Sequence, residues 1–110
     1  MDRASREATP FDREFHDLVT RYVWGEIWTR PGLPRKTRRL LTLAMLVALN
    51  RPEELRLHLR AAADDGVADD QIREVLLQAA IYCGVPAAHN AFRIASEVLA
   101  ERKAARSARR

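Results

Sequence analysis

The chain has 110 residues, of which 47% are hydrophobic and 31% charged, and its formal net charge is +4. This length suits one domain with a modest core, and the single cysteine, Cys83, excludes an internal disulfide and a paired-cysteine zinc or redox site. The excess charge lies in residues 101–110, which hold five basic residues and one acidic residue, so residues 1–100 are neutral and a nucleic-acid partner is not expected.

The sequence also argues against a membrane partner. No segment looks like a signal peptide, and no apolar run approaches the roughly 18 residues that a bilayer span needs. We therefore expect a cytoplasmic protein, a location that the lone cysteine also fits.

Apolar residues recur at helical spacing along the whole chain, and no strand-like alternation occurs. The sequence therefore predicts an all-α fold, a compact bundle of about five helices. The first helix is expected over residues 11–22, with Thr9 as its N-cap and Pro10 in its first position. Residues 24–33 are expected to form an irregular connection.

The second helix is predicted from residue 34 or 35 to about residue 49. Asn50 can adopt the left-handed conformation that ends a helix. The second half of this helix is apolar all round, and such a helix must be buried on every side. We therefore expect it at the centre of the fold or covered by another subunit of a homo-oligomer.

Three more helices are predicted, starting at Pro52, at Ala68 or Asp69, and at Pro86. They cover residues 52–65, residues 68 or 69 to 83, and residues 86 onward, with Gly66 and Gly84 as the stops. The folded domain is expected to span residues 1–101. Residues 102–110 are expected to form a basic tail, the frayed and solvated end of the last helix.

Both tryptophans of the chain, Trp24 and Trp28, lie one helical turn apart, and Arg30 follows them directly. Flat aromatic rings beside a guanidinium are suited to the rim of a pocket for a flat anion. Packing of the tryptophans in a core or an interface is the alternative.

Three segments carry a resemblance to a known family. They are WGEIWTRPGLPR at residues 24–35, ELRLHLRAA at residues 54–62 and YCGVPAA at residues 82–88. In this order and at these separations, they resemble the signature of the 4-carboxymuconolactone decarboxylases of the alkylhydroperoxidase-D-like superfamily. Family members usually carry a longer segment before the position of Phe11, which leads us to expect a truncated chain or an internal start.

The resemblance implies a cofactor-free enzyme of protocatechuate catabolism, in the β-ketoadipate pathway. It would convert 4-carboxymuconolactone, a lactone dicarboxylate, to 3-oxoadipate enol-lactone and CO2. It also implies a ring-shaped homohexamer, with a trimer as the smaller alternative. The lactone ring can accept the electron pair that CO2 leaves behind, so no metal is expected, and the three histidines lie too far apart for ligand spacing.

Nine residues become candidates for the site. The catalytic candidates are His58, Glu54 and Tyr82. The substrate-binding candidates are Trp24, Glu26, Trp28, Arg30, Arg38 and His89.

Each candidate has a predicted role and a structural alternative. His58 is predicted to be the acid or the oxyanion donor, with Glu54, four residues earlier, orienting the ring or holding its charge. The alternative is a structural histidine. Arg30 and Arg38 are the predicted carboxylate clamps, since a guanidinium matches a carboxylate with two parallel hydrogen bonds. Tyr82 is a further oxyanion donor or a hydroxyl that reaches water at an interface.

The remaining candidates are less specific. Glu26 is interpreted as a pocket acid or a helix-terminus partner. His89 is interpreted as a contact to the acetate arm of the substrate or as a helix-start residue. Arg39 and Arg60 are assigned to salt bridges at the surface or between subunits.

Other functions are weighed against the decarboxylase. The thiol peroxidases of the superfamily need Cys-x-x-Cys-x-x-x-His, but the two cysteine positions before His58 hold Arg51 and Glu54, so this activity is disfavoured. A non-catalytic binding or sensory protein on the same scaffold stays open. So does a decarboxylase or isomerase of another carboxylated lactone.

Overall fold

The computed structural model describes residues 8–108. The predictions for residues 1–7 and for the last two arginines of the tail lie outside the described residues. The described part contains five α-helices and no strand, which confirms the predicted fold class. The helices are α1 (Arg13–Leu18), α2 (Arg35–Ala48), α3 (Pro52–Ala62), α4 (Asp69–Cys83) and α5 (Val85–Ala108), with a π-helical segment (Val19–Ile27) directly after α1.

The chain divides into two compact units, one ending at Arg35 and the other beginning at Lys36. In the first unit, α1 begins two residues later than predicted, because residues 10–12 form a turn. The backbone N–H of Thr9 donates to Oδ1 of Asp12 at 2.6 Å, and the N–H of Asp12 donates back to Oγ1 of Thr9 at 3.4 Å. Asp12 occupies the N-cap of α1, so the predictions of Thr9 as the N-cap and of Pro10 in the first helical position are wrong.

The prediction of an irregular connection over residues 24–33 is wrong in its first half. The helix continues to Ile27 with wider turns, and the N–H of Trp28 donates to the carbonyl of Val23, five residues earlier, at 2.9 Å. Gly25 suits this segment. A Cβ at Gly25 would lie 3.3 Å from the carbonyl oxygen of Thr20, which is a tight contact. A turn begins directly after this segment, at Trp28 and Thr29.

The second unit contains the hydrophobic core. Helix α5 packs along both α4 and α3, and apolar side chains of all four helices of this unit are buried together. The most deeply buried are Leu43, Leu59, Ile72, Leu76, Ile94 and Val98. This arrangement fixes α3, which carries His58, relative to α2 and α5.

Helix α2 is only partly covered. Leu43 and Val47 are buried, whereas Leu41, Met45 and Leu49 are 45%, 57% and 63% exposed. The prediction that this helix is buried on every side is therefore wrong within the chain. These three residues lie four apart and form one continuous apolar stripe.

The predicted helix ends are confirmed at two turns. Asn50 has a φ of 56°, and the N–H groups of Asn50 and Arg51 donate to the carbonyls of Val47 and Leu46. This is the hydrogen-bond pattern of a Schellman motif. Gly66 repeats the pattern after α3 with a φ of 75°. Helix α3 itself ends at Ala62, three residues before its predicted end.

Helix α5 continues without a break through residues 102–108, so the described part of the predicted tail is helical. Arg102 lies 3.8 Å from the carboxylate of Asp69 at the start of α4. In the part of the chain that the structure describes, no helix combines the length and apolar character needed to cross a membrane.

Candidate active site

The predicted site residues are distributed over both units. The first unit carries Trp24, Glu26, Trp28 and Arg30. The second unit carries Arg38, Glu54, His58, Tyr82 and His89.

The two tryptophans of the first unit lie side by side. Their ring centroids are 5.0 Å apart and their planes are inclined by 43°. The guanidinium of Arg35 lies 5.3 Å from the centroid of the Trp28 ring, within the range of a cation–π interaction. Both tryptophans are half-buried, and Arg30 and Glu26 are exposed. The two tryptophans therefore form an aromatic pair, and the cation that lies over one of the rings is Arg35.

The second unit contains a buried charged cluster that the sequence analysis missed. Arg39 is 1% exposed. Its Nε donates to the Asp65 carboxylate at 2.6 Å, and one of its terminal nitrogens donates to Nδ1 of His58, also at 2.6 Å. The assignment of Arg39 to a surface or intersubunit salt bridge is wrong, because its partners lie within the chain and the side chain is buried. Arg60, by contrast, bonds at the surface to Glu101, as predicted.

The cluster decides the protonation state of His58. A guanidinium has donors and no acceptor, so the nitrogen that receives its hydrogen bond carries no proton. The ring proton is therefore on Nε2. Burial and the nearby charge of Arg39 lower the pKa of His58 from 6.5 to about 4, against the weaker opposing effects of Asp65 and Glu54. The imidazole is neutral at physiological pH.

The role predicted for Glu54 needs correction at this point. The hydrogen bond that orients the ring at Nδ1 comes from Arg39 rather than from Glu54. Glu54 is exposed and acts on His58 as a nearby negative charge, the weakest of the four effects on its pKa. A neutral ring also has no charge for Glu54 to hold.

The other candidates of the second unit are more open to solvent. Tyr82 is 80% exposed near the end of α4, and His89 is exposed on the second turn of α5. Arg38 is half-buried on α2, and its backbone carbonyl accepts a hydrogen bond from Thr42. Among residues 8–108, no three His, Cys, Asp or Glu side chains lie close enough together to hold a metal ion.

One sequence signal could have revealed the cluster. Arg39 lies four and eight residues before Leu43 and Val47, so it falls on the buried stripe of α2. A cation on a buried stripe requires a buried partner. Asp65 carries no such signal, because an aspartate beside Gly66 is typical of an exposed turn.

The sequence of the chain is similar to those of known proteins. A family model described as the carboxymuconolactone decarboxylase family matches residues 13–97. The chain belongs to this family, and the resemblance found in the three segments is confirmed.

Three relatives are informative. The chain is 44% identical over 98 residues to the 4-carboxymuconolactone decarboxylase of Acinetobacter baylyi, covering 89% of this chain and 73% of that protein. It is 48% identical over 86 residues to the nitrosuccinic acid decarboxylase of Metarhizium robertsii, covering 78% of this chain and 60% of that protein. It is 37% identical over 83 residues to an uncharacterized 15.0 kDa protein of Paracoccus denitrificans, covering 72% and 61%. Two of these relatives are decarboxylases, which supports the prediction of a carboxy-lyase.

Proposed function

We propose that this protein releases CO2 from 4-carboxymuconolactone and forms 3-oxoadipate enol-lactone, a step of protocatechuate catabolism in the cytoplasm. The similarity to the Acinetobacter baylyi enzyme supports this substrate. The observation that carries the mechanism is the neutral imidazole of His58, held at Nδ1 by the buried Arg39.

The reaction needs no electron sink outside the substrate. The bond between the ring carbon and the departing carboxylate breaks, and its electron pair forms a new ring double bond. The existing double bond shifts toward the lactone carbonyl, whose oxygen becomes negative. A proton then adds to the carbon next to that carbonyl, and the carbonyl re-forms. The protein must hold two carboxylates, stabilise the oxyanion and supply the proton.

His58 suits the oxyanion role better than the acid role. A neutral imidazole is a very weak acid, but its N–H is a good hydrogen-bond donor. It also introduces no permanent charge that would hold the departing carboxylate as an anion. We therefore assign the proton on Nε2 to the developing lactone oxyanion. A fixed donor of this kind typically contributes about 10²–10³ in rate.

The remaining roles follow from residue chemistry. The proton added to carbon must come from a group other than His58, and we assign it to Glu54, whose charge acts on His58 from the same helix. Arg30 and Arg38 are proposed to bind the carboxylates, and Tyr82 to be a second oxyanion donor. Trp24 and Trp28 would pack on the lactone ring with Glu26 beside them, and His89 would contact the acetate arm.

The test compares two replacements of His58 in the full chain. His58→Ala should lower kcat for CO2 release by about 10²–10³, because it removes the oxyanion donor. His58→Gln retains an N–H donor and should lose less. Arg60→Gln, which removes an exposed salt bridge two residues further along α3, is the matched control and should keep full activity. Full activity of His58→Ala would remove His58 from the mechanism, and an inactive wild type would contradict the proposed substrate.

The 48% identity to a nitrosuccinic acid decarboxylase favours a second candidate substrate. A nitro group next to the departing carboxylate also receives the electron pair on oxygen, so a neutral N–H donor would stabilise either intermediate. The ratio of kcat/KM for the lactone and for nitrosuccinate decides between them. We expect the lactone to be preferred, because the match to the 4-carboxymuconolactone decarboxylase covers more of this chain than the match to the nitrosuccinic acid decarboxylase, 89% against 78%.

We also propose a homo-oligomer, a hexamer with a trimer as the smaller alternative. Two apolar stripes of the second unit support it. One consists of Leu41 and Met45 on α2 with Leu49 just after it, and the other of Leu77 and Ile81 on α4 with Val85 at the start of α5. Monomers rarely leave contiguous apolar surface of this kind in water.

A further inference from the structure

We infer that Arg39 and Asp65 are positioning residues, which fix the tautomer and the orientation of the His58 imidazole without touching the substrate. The consequence for catalysis depends on the proposed function. The effect on the imidazole itself does not, and it can be measured in the absence of any substrate.

Stability alone does not account for a charged pair at this place. The side chains of Arg39 and Asp65 are only 2% and 5% exposed, so both charges have lost most of their hydration. Removing two ions from water costs about as much as their attraction returns, and an apolar pair of similar volume is often equally stable or more so. An apolar side chain at position 39 would simply extend the buried stripe of Leu43 and Val47.

The geometry of the guanidinium explains the choice of arginine. Its Nε faces Asp65 in the turn after α3, while a terminal nitrogen faces Nδ1 of His58 within α3. These donors belong to one rigid plane, so the bond to Asp65 sets the direction of the bond to His58. A lysine has a single nitrogen on a flexible chain and cannot hold both partners in this way.

The three residues thus form a hydrogen-bond network in which Arg39 is the donor to both Asp65 and His58. Asp65 compensates the charge of Arg39 and holds its plane, Arg39 occupies Nδ1, and the ring proton is left on Nε2. The partners that fix the tautomer and orientation of metal-binding histidines are typically worth about 10–100-fold in activity. We expect a loss of this size in kcat, with KM little changed, when one of these hydrogen bonds is removed.

The test uses ¹⁵N NMR of labelled histidine in the full chain, together with kinetics. In the wild type at pH 7, His58 should be neutral with its proton on Nε2. In Arg39→Met, the Nδ1–H tautomer should become populated, and the pKa of His58 should rise from about 4 toward 6.5. Asp65→Asn should shift the pKa the other way, because the Asp65 charge raises it, while also loosening the ring orientation. Arg60→Met is the control, with His58 unchanged.

Removal of a single buried charge can unfold a protein, so the double variant Arg39→Met/Asp65→Leu is included. It removes both charges of the pair together, so neither is left without the other. A folded double variant with mixed tautomers and reduced kcat supports the inference. A wild-type His58 that is protonated on Nδ1 or cationic at pH 7 overturns it, and so does either Arg39 variant with an unchanged tautomer and pKa. If the tautomer shifts as expected but the wild type releases no CO2, only the proposed function fails.

Discussion

The surroundings of His58 keep it uncharged, and four effects determine its pKa. Burial has the largest effect and Arg39 the next, and both lower the pKa, while Asp65 and Glu54 raise it. The resulting pKa of His58, about 4, lies well below physiological pH. A residue that resembled a general acid in the sequence is therefore suited to donate a hydrogen bond rather than a proton.

The same shift predicts how stability depends on pH. Unfolded His58, with a pKa of 6.5, binds a proton more readily than folded His58, with a pKa of about 4. The unfolded state therefore gains protons first as the pH falls, and the free energy of unfolding should decrease from about pH 6.5 through about pH 4. Above pH 6.5 this contribution should be constant.

Urea denaturation of the wild type and of His58→Gln between about pH 4 and pH 6.5 measures how much His58 contributes to this loss of stability. The carboxylates titrate in both proteins, so the difference between the two curves reports His58. The wild type should lose stability more steeply than His58→Gln below pH 6.5. Parallel curves would show that His58 ionises equally well in the folded protein.

At the level of single helices, the ends are set by local backbone chemistry. Asn50 and Gly66 both occupy the left-handed region, and both are followed by the hydrogen bonds that close a helix. The π-helical segment differs, because nothing in its composition separates it from an α-helix. Segments of this type are frequent at functional sites, and this one carries Trp24 and Glu26.

Gly66→Ala tests the left-handed turn after α3. No atom lies within 4 Å of the added Cβ, so the cost comes from the positive φ alone. We expect a loss of about 1–2 kcal/mol in the free energy of unfolding, measured by urea denaturation. Gly32→Ala is the control, because its Cβ also meets no atom and its φ is not positive. It should be neutral or stabilising by up to about 1 kcal/mol, and an equal loss in both variants would contradict the explanation.

For the whole molecule, the question is what covers the apolar stripes of α2 and α4. Ile81 is 76% exposed and Met45 is 57% exposed, although each is flanked by apolar residues at a spacing of four. Burying such a side chain typically contributes about 1.5–3 kcal/mol. The proposed subunit contacts would supply that burial.

Sedimentation equilibrium tests these contacts directly. The wild type should form an assembly larger than a dimer, and Met45→Glu or Ile81→Glu should shift it to smaller species, because a charge in an apolar interface is costly. Gln78→Glu adds the same charge to an exposed position of α4 and should leave the assembly intact. A wild type that stays monomeric at micromolar concentration would refute the proposed oligomer.

The extent of the helices could be predicted from the sequence to within a few residues for α2 to α5. Their starts and stops depend on prolines, glycines and Asn50, which act on neighbours in the chain. The three segments that carried the resemblance to the family could also be recognised from the sequence. The tryptophan pair was also foreseeable, because residues four apart on a helix lie on one face.

The buried cluster could not be predicted in this way. Arg39 is separated from His58 by 19 residues and from Asp65 by 26, so their hydrogen bonds exist only after α2, α3 and the following turn have packed. Arg39 is buried beside His58, and its charge lowers the pKa of the imidazole, which is therefore neutral at physiological pH. The proton on Nε2, on which the proposed chemistry depends, is therefore a property of packing, because long-range contacts and desolvation have no signature in local sequence.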